Sequence, residues 1–137
     1  GNAYFDLEKY TRAIIDYSNA LTINASFWGA YTNRGIAYGR LKMYREARID
    51  YNVVLRAEPL NDLIYYNRGM DYYDAGAYRK AIDDFTSAIK IDPDFADAFL
   101  NRGIANYLLG IDGCSDLMEA KYLGADVHPK AIEGICN

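Results

Sequence analysis

The sequence predicts an all-α protein built from stacked pairs of antiparallel helices. Gly1, Gly35, Gly69 and Gly103 follow one another at intervals of 34 residues. Each of the last three glycines comes directly after an Asn-Arg pair. A period of this length, held along the whole chain of 137 residues, is typical of proteins in which a two-helix unit recurs.

Aromatic and small residues recur at the same interval. Tyr44 and Tyr78 share one position of the period, and Ala47 and Ala81 share another. Alternation of large and small side chains at fixed positions predicts helices that pack closely against each other. Most of the 14 tyrosines are therefore predicted to fill space between helices.

Each repeat divides into two helices joined by a tight turn. Apolar residues recur every three or four positions in residues 28–40 and again in residues 44–56, which predicts two amphipathic helices. Pro59 and Pro93 follow the second helices of their repeats and end them, because proline lacks the N–H and restricts the residue before it. In the first repeat, residues 24–26 are expected to form the same turn through a side-chain hydrogen bond.

Taken together, these positions resemble the tetratricopeptide repeat, in which a helix with a small residue precedes a helix marked by Ala, an aromatic residue, Ala and then Pro. The best copy contains Gly69, Tyr72, Tyr78, Ala81, Phe85, Ala88 and Pro93. The resemblance implies one domain over residues 1–137, a solenoid of about three and a half repeats with a short C-terminal capping helix. The predicted repeats are 1–27, which is truncated at its N-terminus, 28–61, 62–95 and 96–124, and the closing helix is 128–136.

Both ends of the chain depart from the repeat pattern. Gly1 falls on the repeat glycine, so we expect the chain to begin inside a first helix and to be a fragment of a longer array. In the last repeat, the turn around residues 111–112 is two residues shorter, and Gly113 replaces the recurrent alanine. Terminal repeats are often atypical because one face meets water. Residues 128–130 are interpreted as the beginning of a closing helix, with Pro129 in its first turn.

Charge and hydropathy exclude two classes of partner. The net charge is −4 and the isoelectric point is about 4.9, whereas nucleic acids and anionic membranes attract basic surfaces. No apolar run approaches the roughly 20 residues that span a bilayer, so no membrane insertion is expected.

The sequence offers no catalytic, metal or cofactor site. His128 is the single histidine, so neither a Ser/His/Asp nor a Cys/His arrangement can be assembled. Cys114 and Cys136 lack the close spacing of zinc ligands, and no glycine-rich phosphate loop is present. We therefore predict a protein that is not an enzyme and needs no cofactor.

The resemblance implies that the first helices of the repeats line a concave groove that binds a peptide. The matching positions are mainly apolar and aromatic, with one asparagine in each repeat. A primary amide offers one acceptor and two donors, so it can bond a peptide backbone. The alternative is that each asparagine ties neighbouring helices together, because buried amides usually find internal partners. The predicted groove residues are Asn33, Ile36, Tyr66, Asn67, Met70, Tyr73, Leu100, Asn101, Ile104 and Tyr107.

The predicted function is that of a non-enzymatic scaffold whose partner is a protein or a peptide. Two alternatives stay open, a purely structural spacer and an adaptor region of a larger multidomain protein. Chaperone-binding members of the family hold a C-terminal carboxylate with asparagines and basic residues. Leu63 and Asn67 stand where the basic residues are needed, so a chaperone C-terminus is not expected.

Two further sets of residues carry structural predictions. The repeated arginines are expected to reach aspartates of one recurrent position, and these are Arg34, Arg68 and Arg102 with Asp16, Asp50 and Asp84. Cys114 and Cys136 would lie at nearly the same level of a helical hairpin that turns near Asp126, which makes a disulfide possible. Two buried free thiols are the favoured alternative, because no export signal is visible.

Overall fold

A computed structural model describes residues 2–137, and these residues form eight α-helices and no strand. The predicted all-α fold is thereby confirmed. Gly1, which we expected to lie inside a first helix, and the side chain of Asn2 are outside the described part of the chain. The helices are α1 (Asn2–Ile23), α2 (Trp28–Arg40), α3 (Tyr44–Ala57), α4 (Asp62–Asp74), α5 (Tyr78–Ile91), α6 (Ala96–Leu108), α7 (Cys114–Tyr122) and α8 (Pro129–Cys136).

The chain divides into two compact units. The N-terminal unit ends at Leu60 and contains α1, α2 and α3. The C-terminal unit, Asn61–Asn137, contains the five remaining helices of the described chain. None of the helices in residues 2–137 has both the length and the apolar character needed to cross a membrane.

Helix α1 continues through the position where the sequence predicted a turn, so that prediction was wrong for the first repeat. In the three later repeats the corresponding residue has a positive φ, 60° at Lys42, 79° at Gly76 and 76° at Gly110. The matching residue of α1 is Glu8, which pairs with Arg12 one helical turn later. Positive φ is unfavourable for glutamate, and the i,i+4 ion pair favours the helix, so α1 is not interrupted.

The N-terminal unit packs around a close contact between α2 and α3. A Cβ atom placed on Gly35 would lie 2.7 Å from Cε1 of Tyr51, a ring that is almost wholly buried. Only glycine therefore allows this approach. The turn before α2 is the one the sequence predicted, since the backbone N–H of Ser26 donates to Oδ1 of Asn24 at 3.0 Å.

In the C-terminal unit, consecutive helices pack in chain order from α4 to α8. Gly69 packs closely against the ring of Phe85, as Gly35 packs against the ring of Tyr51. Helix α7 begins only at Cys114 and has 9 residues, whereas α5 has 14. Helix α7 thus lacks the first turn that α5 has. At this place the backbone of Gly113 lies directly against the carbonyl group of Gly103.

The closing helix α8 covers the end of the C-terminal unit. Its N-cap is His128, and Pro129 lies in the first turn as predicted. Leu117, Ala120 and Val127 form a buried cluster against which the apolar face of α8 packs.

A disulfide bond joins Cys114 at the start of α7 to Cys136 at the end of α8, with the Cα atoms 4.8 Å apart. The preference for two free thiols was therefore wrong. The expected hairpin brings the two residues to one level, as the sequence spacing indicated. The bridge connects the closing helix to the helix that it covers.

Candidate functional site

The predicted groove residues of the N-terminal unit lie on α2. Asn33 is exposed, and Ile36 lies on the same helix and is half-buried. The remaining predicted residues belong to the C-terminal unit. On α4 they are Tyr66, Asn67, Met70 and Tyr73, and on α6 they are Leu100, Asn101, Ile104 and Tyr107.

A hydrogen bond links α4 to α6 at the centre of this set. The amide nitrogen of Asn101 donates to the hydroxyl oxygen of Tyr66 at 3.0 Å and to the carbonyl oxygen of Asp97 at 2.9 Å. Both amide hydrogens of Asn101 are thus used inside the protein. At this position the amide ties two helices together, which is the second of the two roles considered for the asparagines.

The ring of Tyr66 is held as firmly as its hydroxyl group. Its centroid lies 4.9 Å from that of Phe95 and 5.8 Å from that of Phe85. Aromatic pairs at these separations add stability beyond the area that they bury. Burial raises the pKa of the Tyr66 phenol, and the nearby charge of Asp97 raises it further, while the hydrogen bond from Asn101 opposes the shift.

This raised pKa predicts a loss of stability at alkaline pH. The unfolded chain loses the Tyr66 proton near the ordinary value of 10.0, whereas the folded chain retains it to higher pH. The contribution is fully present below pH 10.0 and disappears as the pH rises through the folded-state pKa. In urea unfolding between pH 9 and 11, we expect Tyr66→Phe to show a shallower decline than the wild type.

The control for this experiment is Tyr122→Phe, since Tyr122 is 84% exposed. Its stability should follow the wild-type pH profile. A decline of equal steepness in Tyr66→Phe would contradict the assignment. Tyr73, whose pKa is also raised by burial, remains in both variants and cancels in the comparison.

Leu100 and Ile104 pack against the core of the C-terminal unit. Both pack against the cluster of Leu117, Ala120 and Val127, on which the residues of α8 also pack. Their apolar character is therefore explained by internal packing. Their assignment to a peptide-binding groove stays a prediction.

The remaining aromatic residues differ in how they are held. The ring of Tyr73 lies edge-on to that of Tyr78 at a centroid distance of 5.4 Å, so it is fixed by the second helix of its own repeat. Tyr107 is 49% exposed, and Leu63, near the start of α4, is 59% exposed. Together these two residues give α4 and α6 accessible apolar surface.

Each of the three repeated arginines forms an ion pair with an aspartate. Each guanidinium makes two hydrogen bonds of 2.7–2.8 Å to one carboxylate, which is Asp50 for Arg34, Asp84 for Arg68 and Asp116 for Arg102. Asp116 was missed as the last partner. The two-residue shortening of that repeat would have identified it, because it shifts the recurrent aspartate from its usual interval.

In these ion pairs the guanidinium groups already bond to carboxylates within the protein. The bond to Asp50 raises the pKa of Arg34 above its already high ordinary value, and the bond to Asp84 does the same for Arg68. Bidentate pairs of this kind are the stronger hydrogen bonds in proteins. No group of three or more potential metal-binding side chains occurs among residues 2–137.

A family model described as "TPR repeat" matches residues 1–42 and 69–110 of the sequence. The chain belongs to the tetratricopeptide repeat family. This family consists typically of non-catalytic repeats that mediate protein interactions. A comparison with curated proteins finds no significant match.

Solved structures with the same fold include several tetratricopeptide proteins. MamA (residues 41 to the end) from Desulfovibrio magneticus RS-1 is 21% identical, with a TM-score of 0.74 over 98% of this chain and 72% of that one. The first repeat domain of Spaghetti (RPAP3), bound to the HSP90 peptide SRMEEVD, is 20% identical, with a TM-score of 0.75 over 80% and 90%. The OM64 domain from Arabidopsis is 22% identical, with a TM-score of 0.74 over 79% and 93%.

Proposed function

We propose that this protein is a non-enzymatic interaction scaffold and that the face formed by α4 and α6 binds an extended peptide segment. The observation that carries the proposal is the difference between two equivalent asparagines. Asn101 uses both amide hydrogens internally, whereas Asn67, which is half-buried on α4, has no such internal bond within the described chain. An amide in that position can bond the backbone of a bound segment.

The surroundings of Asn67 support this use. The adjacent Tyr66 is fixed in place by Asn101 and by aromatic neighbours, so it requires little ordering when a partner binds. Leu63 and Tyr107 supply exposed apolar surface on the same two helices. A central polar group with aromatic and apolar neighbours is a common composition for a binding hot spot.

Charge restricts the kind of segment that this face would accept. Arg68 and Arg102 are held by aspartates, and the exposed carboxylate of Asp97 lies close enough to Tyr66 to raise its pKa. A terminal carboxylate or an acidic segment would meet no available cation on α4 or α6 at these positions. We therefore propose a neutral or basic segment with apolar side chains, unlike the acidic peptide in the RPAP3 structure.

The decisive test compares Asn67→Ala with Asn19→Ala, which changes an exposed asparagine on α1. Peptides of 12 residues would be selected by display on the immobilised chain, and the enriched peptide labelled for fluorescence anisotropy. Loss of backbone hydrogen bonds at one amide should weaken binding by about tenfold in Asn67→Ala. The melting temperature should change little, because no internal bond is lost.

The Asn19→Ala variant should bind the peptide with wild-type affinity. Equal binding by both variants would contradict the role of Asn67. If display enriches no peptide at all, the spacer function becomes the better explanation.

A further inference from the structure

Helix α8 lies on the surface of the C-terminal unit, and none of its 8 residues is fully buried. The side chains of α8 that pack against the buried cluster beneath it are those of Ala131, Ile132 and Ile135. A helix of this length is not stable in water without such packing. The bond between Cys114 and Cys136 therefore contributes strongly to keeping α8 in place.

The helix beneath α8 is held by contacts that do not involve α8. Arg102 on α6 donates to both carboxylate oxygens of Asp116 on α7, at 2.7 and 2.8 Å. A Cβ atom placed on Gly103 would lie 2.5 Å from Cδ1 of Leu117, so the two helices approach closely. Departure of α8 would thus leave α6 and α7 packed together and open the buried Leu117 and Ala120 to solvent. The apolar side chains of α6 that border these two residues are Phe99, Leu100 and Ile104.

The disulfide bond is partly accessible from solvent, since both Cys114 and Cys136 are only half-buried. A thiolate of an external dithiol can attack one of the two sulfur atoms and form a mixed disulfide, which the second thiolate of the dithiol then breaks. Two electrons and two protons pass to the cysteines, which become thiols, while the dithiol becomes a disulfide. The bond can therefore be opened without unfolding the helices that it joins.

We propose that this bond is a redox latch on an apolar helix-binding site. With the bond intact, α8 covers the site formed by Leu117 and Ala120 and their neighbours on α6. After reduction by a dithiol, α8 detaches, and the site binds an amphipathic helix with the same apolar pattern. Helix α8 itself defines that pattern, because it packs on the cluster through residues at positions i, i+1 and i+4. The proposal does not depend on the peptide proposed to bind α4 and α6.

The test uses a labelled synthetic peptide with the sequence of residues 127–137 and the change Cys136→Ser, stapled between the exposed positions 130 and 134 so that its helix is already formed. Its binding to the 137-residue chain is followed by fluorescence anisotropy with and without dithiothreitol, a dithiol. The apparent affinity for a covered site is proportional to the fraction of molecules in which the site is open, so reduction should tighten binding by about tenfold or more. The double variant Cys114→Ala/Cys136→Ala should bind like the reduced wild type in both conditions.

One substitution should have opposite effects in the two molecules. Added to the double cysteine variant, Ile132→Ser weakens the packing of α8 on its own cluster and should tighten peptide binding, whereas Ile132→Ser in the peptide should weaken binding by about tenfold. The matched control is Glu133→Gln, which changes an exposed residue of α8 and should alter neither affinity.

The proposal is overturned if the oxidised and reduced chains bind the peptide equally, or if neither binds it. It is also overturned if circular dichroism shows that reduction unfolds more of the chain than α8, because the bond would then hold the whole unit together. Equal binding of the Ile132→Ser and Glu133→Gln peptides would contradict the apolar fit of the site.

Discussion

Replacing Gly113 with alanine should lower the free energy of unfolding of the C-terminal unit by about 3 kcal/mol. The result is counterintuitive, because alanine occupies the same repeat position at Ala47 and Ala81. A Cβ atom on Gly113 would collide with the backbone carbonyl of Gly103. A backbone group cannot rotate away as a side chain can, so α6 and α7 would have to separate.

The measurement is urea unfolding followed by circular dichroism, with Gly134→Ala as the control. Gly134 lies in α8, and a Cβ atom there would meet no heavy atom within 4 Å. Alanine is a better helix former than glycine by roughly 0.5–1 kcal/mol, so this control should be as stable as the wild type or slightly more so. Equal stability of Gly113→Ala and Gly134→Ala would show that α6 and α7 do not pack at the distance described.

Where the sequence predicted helix bounds correctly, it did so from local stop signals. Residues 28–40 were predicted as a helix and form α2 over the same span. Pro59 and Pro93 lie two residues after the ends of α3 and α5, as expected of residues that cannot continue a helix. Such signals act over a few residues and need no knowledge of distant contacts.

The uninterrupted helix α1 was not predictable from the period alone. Lys42 adopts a positive φ without being glycine, so the residue type at Glu8 did not by itself forbid a turn. What differs is the local side-chain pairing, because Glu8 forms an i,i+4 ion pair with Arg12 that favours the uninterrupted helix. The repeat register describes positions but not the side-chain pairs that form at them.

At the candidate site, too, the period predicted equivalent positions but not the contacts of the side chains there. Asn33, Asn67 and Asn101 are equivalent by period, yet only Asn101 faces a tyrosine hydroxyl at hydrogen-bond distance. That contact depends on Tyr66, which lies 35 residues earlier and on another helix. Sequence spacing placed the three asparagines at equivalent positions but could not assign the individual bonds of each amide.

Reduction of the bond between Cys114 and Cys136 should lower the free energy of unfolding of the C-terminal unit by about 3 kcal/mol. The bridge spans a sequence separation of 22 residues, and releasing it restores the conformational freedom of that loop in the unfolded chain. Helix α8 has 8 residues, too few to be stable alone in water. Without the bridge, it is held only by its packing on Leu117, Ala120 and Val127.

Urea unfolding with and without a phosphine reductant measures the global effect, and hydrogen exchange of residues 129–136 measures the local one. Exchange in α8 should accelerate on reduction more than exchange in α4, which lies outside the closed loop. The double variant Cys114→Ala/Cys136→Ala should resemble the reduced protein and should not respond to the reductant. If the wild type is equally stable in both conditions, the bridge does not form in solution. The closing helix would then depend on apolar packing alone, since the cluster beneath it requires no covalent link.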